Sequence, residues 1–146
     1  MLAKLKALSL SECALLARAM AALAVAALVI AVVSFRRIAR FVAHRPVRPE
    51  PAGADRERII GEVRWAVRAC ARRAPWRAKC FEQSLAALWL LRRRGIAANL
   101  HYGLAQRSGQ GLAAHAWLRA GSDDVVGCEH SGEFTELARF GQAPPV

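Results

Sequence analysis

Cys80 has the residue type and the local sequence that nucleophilic acyl chemistry requires. It follows residues 75–79 (PWRAK), which predict the entry into a helix, and residues 81–91 continue with apolar side chains at helical spacing. Unpaired backbone N–H groups at a helix N-terminus stabilise a thiolate, and they also bind the oxyanion that forms when a thiolate attacks a carbonyl. The sequence therefore predicts Cys80 as a candidate nucleophile.

His115 is the candidate base for this nucleophile. It lies in residues 113–118 (AAHAWL), which read as a strand, and strand alternation places His115 and Trp117 on one face. A strand would hold an imidazole at a fixed position beside the helix that carries the thiol. Spacing alone leaves a structural role open for both Cys80 and His115.

The other cysteines and histidines are assigned no chemistry. Cys70 falls on the apolar face of a predicted helix and is expected in the core, Cys13 is expected to be inert, and His101 receives no role. No two of the four cysteines form a C-x-x-C pair, which argues against zinc ribbons and thioredoxin-like redox motifs. Residues 128–130 (CEH) are too tightly clustered to close a metal site, and no phosphate-binding loop occurs. We therefore expect reduced thiols, no metal and no cofactor.

The elements around these residues predict an α+β domain. One helix begins at Asp55 and ends before Pro75, and a second begins at Cys80 and ends at Gly95. The periodicity then changes to that of strands, predicted at residues 96–106, 113–119 and 124–127. Helices followed by an antiparallel sheet form an α+β fold.

The N-terminal region differs in composition from this domain. We predict an apolar helical segment over residues 1–43, a Pro-rich linker over residues 44–54 and the working domain over residues 55–146. The uncharged stretch 19–35 has three interpretations: a membrane span, an interfacial anchor, or a helix that packs on the catalytic domain. If it spans, its basic C-terminal flank places the domain in the cytoplasm.

The charge balance limits the classes of partner. The formal net charge is +11, carried mostly by arginines spread along the chain, which favours an acidic partner. No zinc-finger spacing, aromatic-rich strand motif or single basic recognition helix is present, so a nucleic-acid binder is not expected.

Several motifs together resemble the stand-alone leader peptidases of lasso-peptide biosynthesis, and the similarity extends over nearly the whole chain. The stretches that carry it include residues 74–80 (APWRAKC), 83–86 (QSLA), 90–98 (LLRRRGIAA), 102–104 (YGL), 114–118 (AHAWL) and 134–140 (FTELARF).

The resemblance implies a transglutaminase-like fold, related to papain, with a Cys-His-Asp triad. Cys80 and His115 match its first two members. Where the family's aspartate is expected, this chain has residues 127–129 (GCE). Glu129 is our preferred third member, with Asp124, the Cys128 position or a degenerate triad as alternatives.

The resemblance also implies an activity and partners. The enzyme would hydrolyse the bond between leader and core in a precursor peptide. It would work with a separate leader-recognition protein and with an ATP-dependent cyclase that closes the macrolactam. We expect a cytoplasmic protein, attached to the inner face of the membrane if the N-terminal segment anchors it. The alternatives are a non-catalytic, membrane-associated peptide-binding adaptor and an acyl transferase of the same fold.

Overall fold

The computed structural model describes residues 8–43 and 51–141. Its helices are α1 (Leu10–Val32), α2 (Phe35–Ala43), α3 (Gly53–Arg73) and α4 (Cys80–Arg93). Its strands are β1 (Asn99–Arg107), β2 (Gly111–Ala120), β3 (Asp123–Val126) and β4 (Thr135–Gly141), with a 3-10 helix at Cys128–Glu133 between β3 and β4. The predicted α+β class is confirmed.

The boundaries of the two central helices follow local sequence signals. α3 ends at Arg73, before Pro75, as predicted. It begins at Gly53 rather than after an Asp55 cap, and Asp55 lies in its first turn, where a carboxylate favours the helix dipole. α4 begins at Cys80, also as predicted, and Gly95 terminates it with a φ of 78°.

The sheet has the strand order β3-β2-β1-β4, and all neighbours are antiparallel. The three predicted strands are present with shifted ends, and β1 and β2 form a hairpin. β4 is an additional strand that periodicity did not predict. It pairs with β1 at one edge, opposite β3 at the other edge.

The N-terminal helix contributes to the same core as the sheet. Leu23 of α1, Val67 of α3, Leu91 of α4 and Leu118 of β2 are fully buried in one cluster. Of the three interpretations of this segment, packing on the catalytic domain describes what α1 does here. The core therefore includes residues on both sides of the domain boundary predicted at residue 55. That boundary stays a prediction, and residues 44–50 of the predicted linker lie outside the described residues.

The other face of α1 remains apolar and exposed. Within the described ranges, α1 is the one helix long and apolar enough to cross a membrane, and 28% of its most apolar window is buried. Core helices and signal sequences share this length and composition. α1 begins at Leu10 because Ser9 and Glu12 form a capping box, and it ends at Val32, before the predicted stretch does.

Candidate active site

Cys80 is the first residue of α4, with its side chain half-buried. The preceding residue, Lys79, is the N-cap; its backbone is extended and its side chain makes no capping hydrogen bond. The first backbone N–H groups of a helix have no partner within the helix. They are therefore available to an anionic group beside Cys80.

His115 lies on β2, and two clefts have both His115 and Cys80 in their walls. The polar cleft is lined on its other sides by Arg68, Ala71, Arg72, Gln83, Val126, Gly127 and Glu129. The apolar cleft is lined by Ile30, Val33, Phe35, Ile38, Lys79, Phe81, Tyr102, Ala114 and Ala116. The fold thus brings the predicted nucleophile and base to one place, with a polar surface on one side and an apolar surface on the other.

A backbone carbonyl fixes the orientation of the His115 ring. The Nε2–H of His115 donates a hydrogen bond to the carbonyl oxygen of Gly127 at 2.7 Å. Because a carbonyl only accepts hydrogen bonds, the neutral imidazole carries its proton on Nε2. Nδ1 is then the nitrogen whose lone pair is available to accept a proton.

Gly127 can make this contact because it has no side chain. Its φ is +75°, and a Cβ placed there would lie 2.8 Å from the carbonyl oxygen of Ala116 and 3.5 Å from Nε2 of His115. Positive φ and a close backbone approach both favour glycine. Sequence reasoning placed Gly127 beside the acid position but assigned it no role; its only sequence signal is a glycine directly after a buried strand.

Three further rings extend from His115 across the sheet. The His115 ring stacks on Phe134 at 4.9 Å and on Trp117 at 5.9 Å between centroids, and Trp117 stacks on His101 at 5.5 Å. The prediction that His115 and Trp117 share a face is confirmed. His101, which had no predicted role, is buried at the end of this stack.

The far end of the stack is held by charged groups. Nδ1 of His101 contacts the Glu136 carboxylate, and Arg139 also pairs with that carboxylate, at 3.1 Å. The hydrogen bond from Arg139 is the largest effect on the Glu136 carboxylate and lowers its pKa below the ordinary value. Burial opposes this shift, and the hydrogen bond and charge of His101 add to the lowering. The stack therefore links His115 to an ion pair on β4.

The candidates for the third catalytic residue lie around the His115–Gly127 contact. Glu129 lines the polar cleft, but its exposed carboxylate pairs with Arg68. Asp124 pairs with Arg119 at 3.0 Å on the surface. Nε2 of His115 contacts the Gly127 carbonyl rather than a carboxylate. The catalytic roles of Glu129 and Asp124 stay predictions.

Cys128, whose position was the remaining alternative for the acid, is buried. Its thiol donates to the carbonyl oxygen of Leu118 at 3.2 Å, and burial raises its pKa. Cys70 is buried as predicted, with a pKa raised by burial, whereas Cys13 is exposed on α1. All four thiols are free, and among the described residues no three His, Cys, Asp or Glu side chains are grouped as metal ligands.

A thiol at a helix N-terminus and an imidazole on a nearby strand are the two groups that thiol-dependent acyl chemistry uses. The chain belongs to the transglutaminase-like superfamily, which its residues 12–139 match. That superfamily includes cysteine proteases and acyltransferases. No curated protein and no solved structure matches the chain. Because the match begins within α1, most of the N-terminal helix falls inside the family's span.

Proposed function

We propose that this chain is the leader peptidase of a lasso-peptide pathway, hydrolysing the leader–core bond of a precursor peptide. The observation that carries a catalytic role is the placement of Cys80 and His115 in the walls of the same two clefts. The choice of a lasso-peptide precursor as substrate rests on the resemblance of the motifs around both residues to that family.

The reaction begins with transfer of the Cys80 thiol proton to Nδ1 of His115. The thiolate attacks the scissile carbonyl, and the N–H groups at the start of α4 stabilise the resulting oxyanion. The imidazolium then donates its proton to the departing amine of the core, which leaves the leader as a thioester on Cys80. Water, deprotonated by His115, cleaves the thioester and restores the thiol as the leader carboxylate departs.

The proposal includes two partners that the resemblance implies. A separate leader-recognition protein would present the precursor, and an ATP-dependent cyclase would join the freed core amine to a side-chain carboxyl group. We place the enzyme in the cytoplasm at the inner face of the membrane, a location supported by the exposed apolar face of α1 beside the arginines of α2.

Product analysis separates this function from its alternatives. Precursor, leader-recognition protein and enzyme would be combined in ¹⁸O-water with an added primary amine, beside Cys80→Ala and His115→Ala. A peptidase releases free core and a leader whose new carboxylate carries ¹⁸O, with the wild type only. A leader joined to the amine would indicate an acyl transferase, and binding without turnover would indicate an adaptor.

A further inference from the structure

A groove of about 450 Å³ runs along α1, α2 and α4, outside the two clefts that hold the catalytic pair. We call it the helical groove; its walls include Val25 and Val29 of α1, Arg37 and Phe41 of α2, and Trp89 and Arg92 of α4. Its floor belongs to the core, but Val25, Phe41 and Trp89 are 60%, 79% and 46% exposed. Large apolar side chains exposed together in a groove indicate a surface that is covered by something else.

The helical groove adjoins the apolar cleft of the catalytic site. Val33 and Ile38, at the junction of α1 and α2, line both the helical groove and the apolar cleft that contains Cys80 and His115. Phe35 fixes this junction, because its ring packs on Phe81, next to Cys80, at 5.7 Å. A chain bound at Cys80 could therefore reach the helical groove by passing over Val33 and Ile38.

The dimensions fit a short extended peptide. From Ala22 to Val33 the wall formed by α1 is roughly 16 Å long at about 1.5 Å per residue, which accommodates about five extended residues at about 3.3 Å each. A membrane surface would instead contact the outward face of α1, where Leu28 and Val32 are exposed and do not line the groove.

The charge of the groove specifies the occupant further. Among the residues that the structure describes, the charged ones that line the groove are Arg37 and Arg92. The Arg92 guanidinium also donates to the carbonyl of Val42, and Arg93 stacks on Trp89 at 5.0 Å. Cations at the rim of an apolar groove favour a ligand that combines apolar side chains with a carboxylate.

We propose that the helical groove binds an apolar segment of the substrate precursor, flanked by an acidic residue and lying several residues from the scissile bond. The inference deepens the proposed function and rests on it for the identity of the substrate. It makes the N-terminal helix pair a substrate-binding element of the enzyme.

The test compares Val25→Asp, inside the groove, with Leu28→Asp, one turn further along α1 and outside it. In a Cys80→Ala background, fluorescence anisotropy with labelled precursor should show at least tenfold weaker binding for Val25→Asp and unchanged binding for Leu28→Asp. In the active enzyme, Val25→Asp should raise KM for full-length precursor and leave turnover of a short peptide spanning only the scissile bond unchanged. Phe41→Ser serves as a second groove variant if Val25→Asp does not fold.

Each other outcome decides the question. Equal effects of Val25→Asp and Leu28→Asp on precursor binding, or no effect of either, would overturn the proposal. Loss of flotation with phosphatidylglycerol vesicles in both variants, with precursor binding intact, would assign this surface to a membrane. If precursor binding depends on the groove but the precursor is not cleaved, the peptidase proposal is wrong and the groove proposal holds. If the precursor is cleaved but its binding does not depend on the groove, the groove proposal is wrong and the peptidase proposal holds.

Discussion

The Nε2–H of His115 donates to the backbone carbonyl of Gly127 at 2.7 Å, the hydrogen bond that a triad carboxylate would accept in the related peptidases. A carbonyl fixes the tautomer and ring orientation as a carboxylate does, but it carries no full charge to stabilise the imidazolium. We therefore expect the Gly127 carbonyl to supply the geometric function of a third residue and only part of its electrostatic function.

Glu129 is expected to contribute little to catalysis, because its carboxylate is exposed and paired with Arg68 rather than with His115. We expect Glu129→Gln to lower kcat/KM by less than about tenfold, since a triad acid that sets the tautomer contributes about 10,000-fold. Asp124→Asn, which removes the other carboxylate candidate, is the matched control. A loss near 10,000-fold in Glu129→Gln alone would assign Glu129 to the triad.

Gly127→Ala should impair both stability and turnover. The added Cβ would lie 2.8 Å from the Ala116 carbonyl, in addition to the cost of about 1–2 kcal/mol for a side chain at positive φ. Displacement of the carbonyl from His115 should lower kcat more than it raises KM. Gly109→Ala is the control, because Gly109 has a φ of +76° with open space around its Cβ position. Equal kcat values for the two variants would contradict a positioning role.

The four thiols should react in a defined order with a small alkylating reagent. Burial raises the pKa of Cys70 and of Cys128, so both stay protonated and slow to react at pH 7 to 8. In a Cys13→Ser background, peptide mapping should locate the first alkylated residue at Cys80, which lines two clefts. First modification of Cys128 would be inconsistent with its burial under β2.

The ion pair at the end of the ring stack should make stability depend on pH. Hydrogen bonds from Arg139 and His101 lower the pKa of Glu136 in the folded state. The ionised carboxylate therefore stabilises the fold fully at pH values above the ordinary pKa of a glutamate. This stabilisation is lost as the pH falls through the lowered pKa of Glu136 in the folded protein. Thermal melts should therefore give a higher Tm for the wild type than for Glu136→Gln at neutral pH. The two Tm values should converge in acid. Glu133→Gln, which removes another carboxylate in an arginine pair, controls for general charge effects; a constant difference at all pH values would contradict the prediction.

The sequence predicted those parts of the fold that local signals specify. Pro75 and Gly95 terminate helices through their own backbone constraints, so the ends of α3 and α4 could be predicted. β4 could not, because Thr135–Gly141 is an edge strand with mostly exposed side chains and lacks a clear buried face. Its position is set by pairing with β1, which is a long-range interaction.

The sequence allowed the side chains of the candidate site to be predicted, but not its backbone contacts. Cys80 and His115 are recognisable by residue type and local pattern, but the partner of His115 is a backbone carbonyl, which every residue possesses. A catalytic role for the Glu129 side chain stays a prediction. The ring stack from Phe134 to His101 joins residues distant in sequence. The β1–β2 register places His101 opposite Trp117, and Phe134 lies directly before β4.

The most direct measurement is kcat/KM for precursor cleavage by Cys80→Ala beside Cys13→Ala, with equal folding of both variants verified by circular dichroism. Cys13 is a free, exposed thiol on α1, so its removal controls for loss of a cysteine as such. We expect cleavage to disappear in Cys80→Ala and to stay at the wild-type rate in Cys13→Ala. Wild-type cleavage by Cys80→Ala would contradict the central claim that the thiol at the start of α4 is the nucleophile.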